Sequence, residues 1–212
     1  MKSAILTGSA LLGSRTATQA AASELKRLLR VYPHALCVAV DGGLSIWTAA
    51  RATPSLWVGD GDSCKPAQYK KIAEQMLLPC EKDRSDLAEA LQVCADRHIQ
   101  RVHLIGFEGA RVDHDYAVSL ECSRIAHRFE RLESFSRFWV GAGRDWRGTL
   151  KKNQLVSLFS LTGPAHGVTL QGFQYSLQAE ALEAGSRGLS NVAQGGECCV
   201  SVNEGSIMGI LS

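Results

Sequence analysis

The sequence predicts an α/β protein whose N-terminal parallel sheet with crossover helices is followed by a smaller C-terminal antiparallel β-sandwich. Three observations predict it. Up to about Arg131, short apolar runs alternate with stretches of helical period, the pattern of a parallel sheet with crossover helices. Beyond that point, short β-rich runs punctuated by glycine follow one another without helical stretches between them. With 212 residues and 45% hydrophobic content, the chain can bury one large core or two small ones, so disorder is not expected.

In chain order, the first strand is read at Ala4 to Leu6 and is followed by a helix over Thr18 to Arg30. Leu36 to Val40 and Leu56 to Val58 are the next strands, each followed by a helix, Leu44 to Arg51 and Ala67 to Gln75. Met76 to Leu78 precedes a helix at Asp86 to Asp96, where Leu87, Leu91 and Cys94 share one face. Val102 to Ile105 is the fifth strand, and a helix from about Asp113 to Arg128 completes a Rossmann-like unit. Leu155 to Leu161, Val168 to Leu170, Phe173 to Leu177, Cys198 to Val202 and Ile207 to Leu211 are the strands of the sandwich. The change of texture near Ser134 to Gly143 divides the chain into domains 1–134 and 135–212.

Bulk properties narrow the function. A net charge of +2, with 23 basic and 21 acidic residues interspersed, provides no face for nucleic acid or a membrane surface. Seven cysteines, none at two-residue spacing, fit neither a disulfide framework nor a zinc site. The apolar run after Met1-Lys2-Ser3 is too short for a signal peptide, and a cytoplasmic protein is expected.

In an open parallel sheet, ligands bind beyond the carboxyl ends of the strands, where loops converge and helix N-termini present free N–H groups. Four consecutive loops at that edge each bring aspartate: Asp41-Gly42-Gly43, Gly59-Asp60-Gly61-Asp62-Ser63, Lys82-Asp83-Arg84-Ser85-Asp86, and Arg111-Val112-Asp113-His114. Carboxylates crowded on one rim need cations to offset their repulsion. Magnesium suits them, since it takes oxygen ligands from a few carboxylates together with substrate phosphates. A calcium EF-hand counted from Asp60 fails, because Cys64, Lys65 and Lys71 stand at its fifth, sixth and twelfth positions.

Lys82, Arg84 and Arg111 lie among these aspartates, and a mixture of metal ligands with fixed cations is what a polyphosphate requires. Gly42, Gly43, Gly59, Gly61 and Gly109 permit close backbone approach, and Ser63 and Ser85 add hydroxyl donors. Singly, each piece has a plainer explanation. Asp83, Ser85, Asp86 and Asp113 lie where helix N-caps are selected, Asp86 with Glu89 has capping-box spacing, and Gly59-Asp60-Gly61-Asp62 reads as a turn. Repetition on successive loops of one sheet edge is what capping does not account for. Gly8-Ser9-Ala10-Leu11-Leu12-Gly13-Ser14-Arg15 has Walker A glycine spacing but lacks its Lys and Ser or Thr, so it reads as a strand-to-helix loop.

The motifs Asp-Gly-Gly, Gly-Asp-x-Asp-Ser, Lys-Asp-x-Ser-Asp and Arg-x-Asp-His, in this order, resemble thiamine pyrophosphokinase. Gly167-Val168-Thr169-Leu170-Gln171-Gly172-Phe173-Gln174-Tyr175-Ser176-Leu177 and Gly188-Leu189-Ser190-Asn191 continue the resemblance through the second half. It implies transfer of the terminal diphosphate of ATP to thiamine in a homodimer. By the same resemblance Asp60, Asp62, Asp83 and Asp86 are magnesium ligands. Asp41, Gly42, Gly43, Ser63, Lys82, Arg84, Ser85, Arg111 and His114 line the nucleotide site, Ser190 and Asn191 approach thiamine, and Asp62 or Asp113 accepts the hydroxyl proton. Ala110 and Val118 depart from the family's Gly and Asn, and the last tryptophan is Trp146, so either Tyr175, Phe173 or another residue substitutes as the aromatic surface, or the acceptor differs. The alternatives are a diphosphokinase for another hydroxymethylated heterocycle, such as a pterin, and a non-catalytic thiamine- or nucleotide-binding relative.

Overall fold

A computed structural model describes residues 1–9, 14–109 and 111–212, so Ala110 and residues 10–13 of the Gly8 to Arg15 loop lie outside the described residues. The chain divides into two compact units, Met1–Val118 and Ser119–Ser212. Among the described residues, no helix is long and apolar enough to cross a membrane.

The first unit runs β1 (Ser3–Thr7), α1 (Arg15–Val31), β2 (Leu36–Val40), α2 (Leu44–Ala50), β3 (Leu56–Gly59), α3 (Pro66–Tyr69), β4 (Glu74–Leu77), α4 (Asp86–Asp96), β5 (Arg101–Ile105) and α5 (Val112–Ile125). The division between units falls inside α5, ahead of the joint read from the sequence. Strands lie in the order β5-β1-β2-β3-β4, and the pairings β1–β2, β1–β5, β2–β3 and β3–β4 are all parallel. Because the chain moves outward from β1 to β4 and then returns to β5 on the other side, the loops after β1 and β5 diverge and open a crevice at the carboxyl edge.

Local sequence explains the helices. Ser14 caps α1 by accepting Ala17 N–H at 3.3 Å, and Ala21, Ala22, Leu25 and Leu28 form its buried stripe at helical spacing. That stripe shares a core with Ile5, Ile46, Trp47 and Trp57. One sequence expectation changes here: the helix read over Ala67 to Gln75 is confined to Pro66–Tyr69, and Glu74–Leu77 is strand. Parallel pairing of Glu74 to Leu77 with Leu56 to Gly59 takes this segment into the sheet, and because β4 is the edge strand of this unit it carries little apolar signal of its own.

The second unit contains β6 (Arg131–Glu133), β7 (Arg137–Gly141), β8 (Arg144–Leu150), β9 (Leu155–Phe159), β10 (Ala165–Gln171), β11 (Leu177–Leu182), β12 (Asn191–Val192), β13 (Gly196–Val202) and β14 (Ser206–Leu211). One run of antiparallel strands is ordered β12-β9-β14-β7-β6 and another β11-β10-β13-β8. Phe138, Val140, Trp146, Leu158, Val168, Val200 and Ile207, drawn from both runs, lie in one hydrophobic core, where the rings of Phe138 and Trp146 stack 3.9 Å apart.

One further expectation is corrected in this unit. Within Ser134 to Gly143, Arg137–Gly141 forms β7, which pairs with β6 through Leu132 and Trp139. Arginines disguise these strands: Arg131 lies over the Trp146 ring at 5.9 Å, a packing role for a residue that reads as surface charge. The correction is that Phe173 to Leu177 is not a strand. Phe173 forms an isolated bridge with Ala193 and buries its ring in the core, and the chain turns before β11 begins at Leu177.

The tightest approach near the carboxyl edge is at Gly43, where an added Cβ would meet the Thr7 carbonyl oxygen at 2.1 Å. Gly43 has an ordinary φ of −56°, so the restriction is steric. Gly43→Ala is expected to lower unfolding stability by about 1–3 kcal/mol in urea titration, with Gly185→Ala, whose Cβ meets nothing within 4 Å, remaining near neutral.

Candidate active site

The loops after β2, β3 and β4 meet at the carboxyl edge of the parallel sheet. Asp41 opens a short 3-10 turn, Asp41–Gly43, directly after β2, and takes a left-handed φ of 44° that Asp and Asn tolerate better than most residues. Buried side chains hold the turn. Trp57 Nε1 donates to the Asp41 carbonyl at 3.2 Å, and its ring stacks on Tyr69 with centroids 4.1 Å apart. Thr7 Oγ1 donates to the Gly43 carbonyl at 2.9 Å while accepting Trp47 Nε1 at 2.8 Å. Gly59 lets Asp41 approach β3, because a Cβ there would lie 2.9 Å from Asp41 Cβ.

This scaffold brings carboxylate oxygens of Asp41, Asp60 and Asp86 within 4.8 Å of one another. Two unit charges about 4 Å apart interact by about 4 kcal/mol at an effective dielectric of about 20, so three carboxylates cannot remain ionised there without cations. Lys82 supplies one. Its ammonium lies 2.8 Å from Asp60 Oδ2, 3.1 Å from Asp86 Oδ1 and 3.1 Å from the Pro79 carbonyl. The Lys82 hydrogen bond holds the Asp60 carboxyl below its ordinary range, and the same bond raises Lys82. Asp86 goes the other way: burial raises its pKa despite Lys82, and its Oδ1 is buried without a well-formed hydrogen bond. Burial also raises Asp41, with the Asp62 carboxylate acting in the same direction.

Helix capping does not account for Asp86. Ser85 is the N-cap of α4, accepting Ala88 N–H at 3.2 Å, and Glu89 pairs with Arg84 at 3.2 Å, so no capping box forms between Asp86 and Glu89. Asp86 is the first helical residue and directs its carboxylate to Lys82.

The other predicted residues are placed as follows. Asp62 is exposed, donates its N–H to Asp60 Oδ1 at 3.2 Å and accepts the Ser63 hydroxyl at 2.7 Å. Gly42 is buried within the Asp41 turn, whereas Asp83 and Arg84 are exposed beside the cluster. Beyond β5, exposed Asp113 and His114 begin α5, and Arg111 grips Asp113 through two nitrogens at 3.1 and 2.6 Å, which holds that carboxyl low. In the second unit Ser190 is exposed with φ 57°, but Asn191 is buried. The Asn191 amide accepts Tyr175 N–H at 3.0 Å and donates to the Tyr175 carbonyl at 2.8 Å, pinning the loop that displays Tyr175. Tyr175 is 63% exposed and Phe173 only 2%.

Sequence reasoning missed Thr7, Trp47, Trp57 and Cys64. Cys64 lies 3.8 Å from Asp41 Oδ1, and burial pushes its thiol up to about 11. The position of Trp57 just before Gly59-Asp60 was the available signal; the Thr7 link spans distant segments and leaves no local trace.

Comparison with known families places the thiamin pyrophosphokinase catalytic domain over residues 30–130 and the thiamin pyrophosphokinase vitamin B1 binding domain over residues 147–207. Among solved structures, the fold is similar to a thiamine pyrophosphokinase from Bacillus subtilis, at 20% identity over 100% of this chain and 99% of that chain, with a TM-score of 0.72. A thiamin pyrophosphokinase from Geobacillus thermodenitrificans gives 23% identity, 100% and 97% coverage and a TM-score of 0.71. One from Candida albicans gives 13% identity, 99% and 89% coverage and a TM-score of 0.70. At these identities the likeness speaks for the fold. Comparison with curated proteins found no match.

A raised folded pKa at Asp41 means that its stabilising form is the neutral one, fully present below the ordinary carboxyl value of about 3.9 and lost as pH rises through the folded value. Without divalent cations, Asp41→Asn is therefore expected to melt above the parent at neutral pH. About 1 kcal/mol shifts Tm by about 2–4 °C in a chain of this size. Calorimetric scans should show the two converging as the pH falls towards about 4; a variant that melts lower at neutral pH contradicts the assignment.

Proposed function

The chain belongs to the thiamin pyrophosphokinase family, and we propose that it moves the terminal diphosphate of ATP to the hydroxyl of thiamine on the carboxyl edge of its parallel sheet. The observation that carries the site assignment is the convergence of the Asp41, Asp60 and Asp86 carboxylates, with one ammonium against Asp60 and Asp86 and with Asp86 Oδ1 left short of a hydrogen bond. Three carboxylates against one ammonium leave an excess of two negative charges. An all-oxygen donor set of that charge fits magnesium, with Asp60 and Asp86 as principal ligands, Asp41 behind them and Asp62 and Asp83 at the exposed mouth. When bound, magnesium neutralises and orients the polyphosphate.

The chain's own groups do the positioning. Arg111, Lys82 and Arg84 bring positive charge to the phosphates, while the turn at Gly42 and Gly43 and the hydroxyls of Ser63 and Ser85 line the nucleotide side with His114. The thiamine hydroxyl gives its proton to a carboxylate as its oxygen attacks the β-phosphorus of ATP. The bond from that phosphorus to the oxygen bridging to the α-phosphate breaks, and AMP leaves. Asp62 suits the proton-acceptor role better than Asp113, because the Arg111 fork holds Asp113 ionised and lowers its affinity for a proton. In the second unit, exposure favours Tyr175 over Phe173 as the surface for thiamine's cationic ring, with Asn191 holding the loop and Ser190 next to Asn191 in the chain. The homodimer and cytoplasmic setting implied by the family belong to the same reading.

Asp60→Asn and Asp86→Asn are each expected to reduce magnesium-dependent AMP release from ATP plus thiamine by about 100-fold or more, since a metal ion contributes several kcal/mol at about 1.4 kcal/mol per decade. Far-ultraviolet circular dichroism should remain that of the parent. Near-parental turnover in both variants contradicts the site assignment, and AMP release with a pterin alcohol but not with thiamine contradicts the acceptor.

A further inference from the structure

The Lys82 ammonium is more enclosed than a residue merely awaiting phosphate. Its side chain is only 16% exposed, and those of Asp60 and Asp86 are 12% and 19% exposed. The ammonium donates to Asp60 Oδ2 at 2.8 Å and to the Pro79 carbonyl at 3.1 Å, and is ion-paired with Asp86 Oδ1 at 3.1 Å without a well-formed hydrogen bond to it. Two of these oxygens belong to the carboxylates assigned to the metal. A divalent cation and this ammonium therefore compete for the same charge, and Lys82 cannot turn to a phosphate without releasing at least one of its present partners.

Resting on the magnesium and polyphosphate reading above, we infer that Lys82 is a resident counter-ion, displaced from Asp60 and Asp86 by the divalent cation and captured by the polyphosphate that arrives with it. Two consequences follow from the geometry. A metal ion alone binds weakly, because it must expel an ammonium that then has nowhere comparably charged to go. Nucleotide alone also binds weakly, because Lys82 must give up contact with its carboxylates to reach it. Together they relieve each other, so metal and nucleotide bind with positive coupling, and by linkage the coupling is reciprocal. The Pro79 carbonyl fixes the pivot: it holds the loop before α4 to the same ammonium, so departure of Lys82 also frees the chain between Pro79 and Lys82.

The test uses Mn2+ as the metal probe and a non-hydrolysable ATP analogue with a methylene bridge as the nucleotide probe, with binding followed by calorimetry and by the electron paramagnetic resonance of free Mn2+. Lys82→Met removes the competing charge at similar length. The expected result is that Lys82→Met binds Mn2+ alone about 10-fold or more tightly than the parent, a tenfold change being about 1.4 kcal/mol. The enhancement of Mn2+ affinity by the analogue, large in the parent, should shrink in the variant. Lys82→Arg, which keeps the charge, should retain weak binding of Mn2+ alone, and this outcome distinguishes loss of the competitor from altered folding. Equal or weaker Mn2+ binding by a folded Lys82→Met protein overturns the inference while leaving the metal site standing. No Mn2+ binding by any of the three proteins, with or without the analogue, overturns the metal reading and the inference together.

Discussion

One electrostatic constraint shapes the carboxyl edge of the parallel sheet: carboxylates delivered by three different loops are held within 4.8 Å of one another in a half-buried crevice. Such a cluster is unfavourable in the folded protein unless cations offset it, and the crevice removes much of the water that would otherwise do so. The pKa directions record this tension. Asp60, bonded to Lys82, is held low, while Asp86 and Asp41 are raised by burial. These divided directions within one crevice, more than any single aspartate, support the proposal that the rim takes up charge of the opposite sign.

The scaffold that maintains the cluster is uncharged and mostly buried. Trp57 and Thr7 tie the Asp41 turn to β3 and β1, and Gly43 and Gly59 let the backbone come close enough for those ties to form. The left-handed conformation of Asp41 is therefore determined from two sides by packing, which is how a locally unfavourable backbone state persists in a folded chain. The second unit applies the same device to an exposed aromatic. A buried amide, Asn191, clamps both backbone polar groups of Tyr175 and so presents the ring to solvent at a fixed place.

Much of this was legible in the sequence, for identifiable reasons. The four aspartate loops could be located because a parallel sheet places every strand-to-helix loop on one edge, so strand order was not needed to gather Asp41, Asp60, Asp86 and Asp113 on the same rim. Strands Leu36–Val40 and helix Asp86–Asp96 were read with their observed limits because continuous apolar runs and helical stripes mark them. Less legible were features set by distant partners. β4 is strand because it pairs with β3, and β7 is strand although arginine and aromatic residues obscure its alternation. That Asp86 is not the cap of its helix follows from Ser85 holding that place, which spacing alone does not distinguish. The enclosure of Lys82 depends on loops brought together by β3 and β4, so sequence alone placed it among the phosphate-binding cations without its present partners.

The central claim is that the Asp41, Asp60 and Asp86 rim exchanges its internal ammonium for a divalent ion carrying polyphosphate. The most direct measurement is a crystal structure of the intact chain with magnesium and a non-hydrolysable ATP analogue. The structure should contain magnesium on Asp60 and Asp86, shared with phosphate oxygens, and Lys82 Nζ moved from those carboxylates to the phosphates. A polyphosphate bound with the Asp60–Lys82–Asp86 arrangement intact and no ion on these carboxylates would contradict it.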